Sequence, residues 1–235
     1  MKPEEKLIIA IDSADIAEIM GTVERLGEYA ETFKIGSTAF NTLGPTIVKA
    51  IGKLGKNVFI DLKLFDIPEQ VAGAARALTD MGASMITVHA LGGPKMMAAA
   101  KKASLDAAGK IGTKPPLIFG VTILTSLDDS WLARLKIPGM DETVPALALA
   151  AEEAGLDGVV AAAREVAEIK NACGGGFIAV TPGIRLPDNA ANDQVRIASP
   201  DAAIRNGADY LVVGRSVTGA PDPGKAAREI LEKMR

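Results

Sequence analysis

Short runs rich in β-branched residues alternate with longer alanine-rich segments from one end of this chain to the other, and that alternation most restricts its fold. Parallel strands joined by crossover helices give this pattern, because each helix buries its apolar stripe on the sheet to which the chain returns. Eight such runs are present, at 7–12, 32–36, 57–63, 85–89, 117–124, 158–162, 177–181 and 210–213. Eight strand-helix units in 235 residues fit a closed barrel, typically about 250 residues, better than an open doubly wound sheet. The expectation is an α/β protein built as a single (β/α)8 TIM barrel.

The segment after the third run illustrates the local logic. Pro68 suits a first helical turn, Val71, Ala74, Ala75, Leu78 and Met81 recur at helical spacing, and Gly82 can end the helix. Gly82-Ala83, Gly155-Leu156-Asp157 and Gly207-Ala208-Asp209 each precede a strand, where a left-handed glycine makes the turn. These turns mark the bottom of the barrel, where stability rather than chemistry is decided.

No linker or low-complexity tract divides the chain, so residues 1–235 are read as one catalytic domain. The least regular segments, 125–145 and 182–200, follow the fifth and seventh strands and should overhang the barrel mouth. With 29 acidic against 26 basic residues there is no positive excess for a phosphate backbone, so nucleic acid is not expected as a partner. Cys173 has no partner at disulfide or metal-ligand spacing and reads as an inert thiol. The apolar run at 7–11 is too short for a signal-peptide core, and no run approaches the ~18 apolar residues of a membrane span. A cytoplasmic protein with no membrane partner is expected.

The third run carries the chemistry. In Phe59-Ile60-Asp61-Leu62-Lys63 side chains alternate sides, so Asp61 and Lys63 share a face opposite Ile60 and Leu62. Helices cover the outer face of a barrel strand, so the charged pair points into the mouth. Burying both charges costs several kcal/mol per ion unless they are paired and hydrogen-bonded. A structural ion pair closing the core is one reading. Asp12 at the end of the first strand and Lys34 in the second bring two more charges to the same place, and alternating charges favour each other's ionised forms. The second reading is thus a proton donor beside a fixed negative charge. His89, the only histidine, ends the fourth strand facing the mouth and is read as a hydrogen-bonded structural group. Trp131 has no assigned role.

The run Asp61-Leu62-Lys63-Leu64-Phe65-Asp66 resembles the Asp-x-Lys-x-x-Asp signature of the orotidine 5'-monophosphate decarboxylase family. Ala10-Ile11-Asp12, Phe33-Lys34-Ile35-Gly36, Val88-His89-Ala90, Ile123-Leu124-Thr125-Ser126, Val180-Thr181-Pro182-Gly183-Ile184-Arg185 and Val213-Gly214-Arg215 extend the likeness along almost the whole chain. The resemblance implies decarboxylation of orotidine 5'-monophosphate to uridine 5'-monophosphate and carbon dioxide, the last step of de novo pyrimidine nucleotide synthesis, without metal or organic cofactor. It implies that Lys63 protonates C6 of the pyrimidine, that Asp61 lies near the departing carboxylate, and that Lys34 bridges the charged network. Asp12 and Lys34 would hold ribose hydroxyls, and Thr125 and Ser126 the pyrimidine edge. Asp66 would reach into the site of a partner subunit, making the protein an obligate homodimer. The family pattern usually has threonine four residues after this aspartate, where this chain has Gln70, which can still donate to a ribose hydroxyl.

At the other end of the chain, Gly214-Arg215 follows the last strand, and loops after strands 7 and 8 are the usual phosphate site of such barrels. Glycine lets the backbone approach an anion and arginine offers a planar fork of donors. By resemblance, Pro182, Arg185 and Gln194 in the loop after strand 7 belong to the same phosphate site. Two rival readings remain. One is a magnesium-dependent keto-sugar-phosphate decarboxylase sharing Asp-x-Lys-x-x-Asp, and the other is a nucleotide-phosphate sensor without turnover.

Overall fold

Eight parallel strands close into a barrel in sequence order, with helices in every crossover. They are β1 (Leu7–Ile11), β2 (Thr32–Gly36), β3 (Asn57–Leu64), β4 (Met85–His89), β5 (Leu117–Val121), β6 (Gly158–Val160), β7 (Ile178–Thr181) and β8 (Tyr210–Val213). The computed structural model describes residues 1–186 and 196–235. Strand β1 pairs with β2 on one side and β8 on the other, which closes the ring. The expected (β/α)8 barrel is therefore the observed architecture. Among the described residues, no helix is long and apolar enough to cross a membrane.

The period-two alternation of each strand divides the apolar residues into two layers. Ile8, Ala10, Phe59, Met85, Phe119, Val180, Tyr210 and Val212 form one cluster inside the barrel. Phe59 and Phe119 meet there edge to face, with ring centroids 6.1 Å apart. The intervening residues, among them Ile9, Ile35, Ile60 and Val213, join the larger cluster beneath the helices. Full burial of each such side chain stabilises the fold by about 1.5–3 kcal/mol. Continuing the inward parity upward from Ile8 and Ala10 leads to Asp12, and from Phe59 to Asp61. The site thus lies on the polar continuation of an apolar core.

The helix Pro68–Asp80 starts at proline as expected and buries Val71, Ala72, Ala75, Leu78 and Thr79, while Ala74 is only half-buried. Gly82, Gly155 and Gly207 all have positive φ, at 94°, 78° and 98°. The aspartates two residues beyond Gly155 and Gly207 have a clear structural purpose. Asp157 accepts from the Ile118 amide at 2.7 Å and Asp209 from the Ala179 amide at 2.8 Å, while Lys101 and Lys170 each approach one of them to 2.6 Å. Each aspartate ties two neighbouring strands to a helix.

Five strand ends differ from the sequence pattern, two of them by one residue: β1 stops at Ile11, just before Asp12, and β3 runs on to Leu64. Strand β5 stops at Val121 rather than reaching 124, because the carbonyls of Ile123 and Leu124 accept from the Arg196 side chain instead of a neighbouring strand. Strand β6 stops at Val160, where the chain turns into a short 3-10 turn, Ala163–Glu165. Strand β7 begins at Ile178 rather than 177. The segment after β5 is also less irregular than its composition suggests, since it contains the helix Asp129–Arg134, capped by the Asp128 side chain.

Candidate active site

At the C-terminal mouth of the barrel a cavity of about 240 Å³ is floored by Ala10, Phe59, Val160 and Val212. Asp12, Lys34, Asp61 and Lys63 form one side, and Thr125, Pro182, Arg185, Gly214 and Arg215 the other. A larger recess of about 580 Å³ opens at the opposite end, lined by residues such as Thr32, Asn57 and Gly82 at strand starts and the turns before them. It has no comparable convergence of lysine, aspartate and arginine, so the smaller cavity is where chemistry can occur.

Asp61 is the centre of the array. Its Oδ1 accepts from Lys63 Nζ at 2.9 Å and from the Thr87 hydroxyl at 3.0 Å, and its Oδ2 lies 3.2 Å from Lys34 Nζ. The Asp61 and Lys34 side chains are 13% exposed and that of Lys63 is 37% exposed. Burial opposes ionisation of Asp61, but the two ammonium groups and the hydrogen bonds from Lys63 and Thr87 outweigh it. The carboxyl is held below the ordinary carboxylate value. Asp12 and Lys34 both flank Gly36, where an added Cβ would stand 3.4 Å from Asp12 Oδ1 and 3.5 Å from Lys34 Nζ. The four charges expected to converge do so.

Strand alternation alone does not account for the position of Lys63. The register between β3 and β4 shifts from Ile60 opposite Ile86 to Leu64 opposite Val88, so four steps on β3 span two on β4. Within this bulge Lys63 takes φ +50°, the left-handed region that costs a non-glycine residue about 1–2 kcal/mol. The Thr87 hydroxyl accepts the Lys63 backbone N–H at 2.9 Å while donating to Asp61, so one side chain from β4 secures both the bulge and the carboxylate. Residues held in such strained backbone cluster at functional sites.

The other expected site residues fall into three groups. Arg185 is buried, whereas Arg215 is exposed on the first turn of Arg215–Thr218 after β8. Asp66, Gln70 and Ser126 are exposed and do not line the cavity; Asp66 Oδ1 accepts the Ile67 amide at 2.6 Å. Gln194 lies outside the described residues. His89 Nδ1 accepts from the Leu91 amide at 3.4 Å and its ring packs against Phe65, in keeping with a structural group; burial, with the Lys63 charge, lowers its pKa. Burial, with Glu152 nearby, pushes the Cys173 thiol up to about 11, consistent with an inert group. Among the described residues, no group of three or more His, Cys, Asp or Glu side chains is placed to hold a metal ion.

Two polar residues at the mouth carry no mark in the sequence reading. Thr87 reads as an ordinary strand former in Met85-Ile86-Thr87-Val88-His89, and its signal is inward parity beside the Asp61 strand. Arg196 is buried, and its contacts come from distant parts of the chain.

A (β/α)8 barrel with this charged array among the loops at its strand C-termini belongs to the class of barrel enzymes whose chemistry sits at that face. More particularly, the chain belongs to the Orotidine 5'-phosphate decarboxylase / HUMPS family, whose model matches residues 5–230. It is 46% identical to an orotidine 5'-phosphate decarboxylase of Moorella thermoacetica, with 100% of this chain and 94% of that one covered. It is 45% identical to the protein of the same name from Carboxydothermus hydrogenoformans, covering 98% and 96%. Among solved structures, the Lactobacillus acidophilus orotidine 5'-phosphate decarboxylase matches with a TM-score of 0.87 at 33% identity, covering 98% of this chain and 99% of that one.

Proposed function

We propose that this protein decarboxylates orotidine 5'-monophosphate to uridine 5'-monophosphate and carbon dioxide in pyrimidine nucleotide synthesis. One observation carries the reading: Asp61, bridged to Lys34 and Lys63, faces the same cavity as Arg185 and Arg215. A nucleotide with its phosphate toward the arginines places the pyrimidine over the lysine-aspartate array.

In that pose the bond from C6 to the carboxylate breaks, its electron pair stays on C6, and carbon dioxide leaves. The Lys63 ammonium then gives its proton to C6, and the amine regains one from solvent. Electron density at C6 lies in the plane of the ring, which cannot delocalise it, so a preorganised ammonium beside it is the main source of stabilisation. Asp61 holds that ammonium in place. Asp12 and Lys34 take the ribose hydroxyls, and Thr125, with Ser126 beside it, the pyrimidine edge. Arg185, Arg215, Pro182, Gly214 and Gln194 form the phosphate end. No metal or organic cofactor enters these steps.

The same proposal makes the enzyme a homodimer, each chain one catalytic domain, with Asp66 serving the partner's site and Gln70 donating to a ribose hydroxyl. In support, Asp66 lies outside its own cavity between Phe65 and Ile67, which are 61% and 63% exposed. Two large apolar side chains so close to the mouth suit a covered surface. A cytoplasmic location fits a charged nucleotide substrate, which does not cross lipid unaided.

A spectrophotometric assay with orotidine 5'-monophosphate in the presence of EDTA tests the proposal. Loss of substrate absorbance with chelator present is expected. A folded protein without turnover refutes it and favours a nucleotide-phosphate sensor, whereas turnover abolished by EDTA points to metal-dependent chemistry.

A further inference from the structure

We infer that Arg196 is a positioning residue that holds the β5 loop carrying Thr125 and the β7 loop carrying Arg185 in one fixed relation. Both ends of a nucleotide substrate then meet their partners together. This inference rests on the nucleotide reading above.

The geometry is that of a clamp between three crossover loops. The Arg196 and Glu165 side chains are each 4% exposed, and Arg196 Nη1 pairs with Glu165 Oε1. Glu165, just past β6, is itself held, because its Oε2 accepts the Ala162 amide at 3.0 Å. The other terminal nitrogen, Nη2, donates to the carbonyls of Ile123 and Leu124 at 2.9 and 2.8 Å, immediately before Thr125. Two residues beyond Arg196, Ala198 joins the opposite limb of the β7 loop: the Arg185 amide donates to its carbonyl at 2.9 Å, and its own amide donates to Gly183 at 3.1 Å. The guanidinium therefore links the backbone before Thr125 to the short ladder that carries Arg185.

A purely structural reading does not require these residue types. A buried ion pair adds little stability over well-packed apolar side chains, but its fixed donor directions specify one arrangement of the chain. A planar fork reaches a carboxylate and two carbonyls from separate nitrogens held in fixed directions, whereas the donors of an ammonium all spread from one atom. Without Arg196, the Ile123 carbonyl loses this donor and the Leu124 carbonyl keeps only the Leu127 amide, so the loop is free to turn away. Thr125 and Arg185, on separate loops, would then no longer be held at the spacing of one nucleotide.

The test compares wild-type protein with Arg196→Met and Arg196→Lys. Hydrogen exchange in the ligand-free proteins is followed at residues 122–127 and 183–186, with thermal melting as the folding control. Exchange should rise at both segments together in Arg196→Met, with Arg196→Lys intermediate. Folded Arg196→Met should lose about 100-fold in kcat/KM, the scale of a displacement of about 1 Å in a substrate-positioning group. By calorimetry, affinity for uridine 5'-monophosphate should fall much more than affinity for inorganic phosphate, because only the nucleotide needs both loops in register. Wild-type exchange, kcat and KM in folded Arg196→Met would overturn the inference, as would a fall in melting temperature with no other change. If Arg196→Met does not fold, Arg196→Lys carries the same readouts. Wild-type protein inactive on orotidine 5'-monophosphate counts against the nucleotide reading alone, since the exchange experiment still decides whether Arg196 couples the loops.

Discussion

Replacing Lys63 separates the chemistry of its ammonium from the strain of its backbone. In Lys63→Ala the donor 2.9 Å from Asp61 is lost, while Asp61 keeps Lys34 at 3.2 Å and the Thr87 hydroxyl at 3.0 Å. The carboxylate therefore retains a counter-charge and the barrel should fold. Turnover should not survive. General acid catalysis is worth about 10²–10⁴ and one preorganised electrostatic donor about 10²–10³, and here one group supplies both. A fall in kcat of at least about 10⁴-fold is expected, about 5.5 kcal/mol of transition-state stabilisation.

Lys63→Gly should be equally inactive yet more stable than Lys63→Ala. At φ +50° alanine keeps the left-handed penalty that glycine escapes, about 1–2 kcal/mol, and the greater unfolded-state freedom of glycine takes back part of it. A net difference of about 1 kcal/mol corresponds to about 2–4 °C in Tm for a chain of this size. Calorimetric melting of the two variants, with kcat from the absorbance assay, makes the comparison. A Lys63→Ala enzyme within tenfold of wild-type kcat refutes the proton-donor role. A glycine variant that melts no higher than the alanine variant refutes the strain argument.

Asp61→Asn removes the shared counter-charge of two lysines. Loss of one partner of a buried pair costs about 3–5 kcal/mol, and the partial exposure of Lys63 favours the lower end, so Tm should fall by about 6–12 °C. Because the folded pKa of Asp61 lies below its ordinary 3.8, its stabilisation is complete above that value and is lost as pH falls through the folded pKa. A stability profile from pH 2 to 6 should thus be flatter at the acid end in Asp61→Asn, and an unchanged profile would refute the assignment. Arg215→Met should raise KM by about 10–100-fold, the worth of one charge-assisted hydrogen bond, with little change in Tm. An unchanged KM would remove Arg215 from the phosphate end. For the dimer, Ile67→Asp should give monomers by analytical ultracentrifugation. Mixing inactive Asp66→Ala with inactive Lys63→Ala should restore turnover through mixed dimers, and no recovery after demonstrated subunit exchange would sink the shared-site reading.

Much of the fold was legible because it depends on local alternation. The pattern of apolar runs predicts eight strands, and the parity from Ile8 through Ala10 to Asp12 and from Phe59 to Asp61 predicts which charges face the mouth. The strand ends were harder to read, because a run of β-forming residues does not reveal which carbonyls find a neighbouring strand. Residues 122–124 resemble strand by composition, yet the carbonyls at 123 and 124 turn to a side chain from the far side of the β7 loop.

The same distinction separates the legible part of the site from the hidden part. Asp61 and Lys63 stand two residues apart, so their pairing is written locally, although the backbone that achieves it is not. Lys63 depends on a register shift against β4 and on Thr87, a residue whose local signature is only that of a good strand former. Arg196 is more remote still: its contacts lie 31 residues away at Glu165 and 73 away at Ile123. Groups that bear the chemistry are recognised by residue type and spacing, whereas groups that fix their positions are recognised by the partners that the fold brings to them. The residues most open to discovery in a barrel of known signature are therefore the buried polar side chains between its loops.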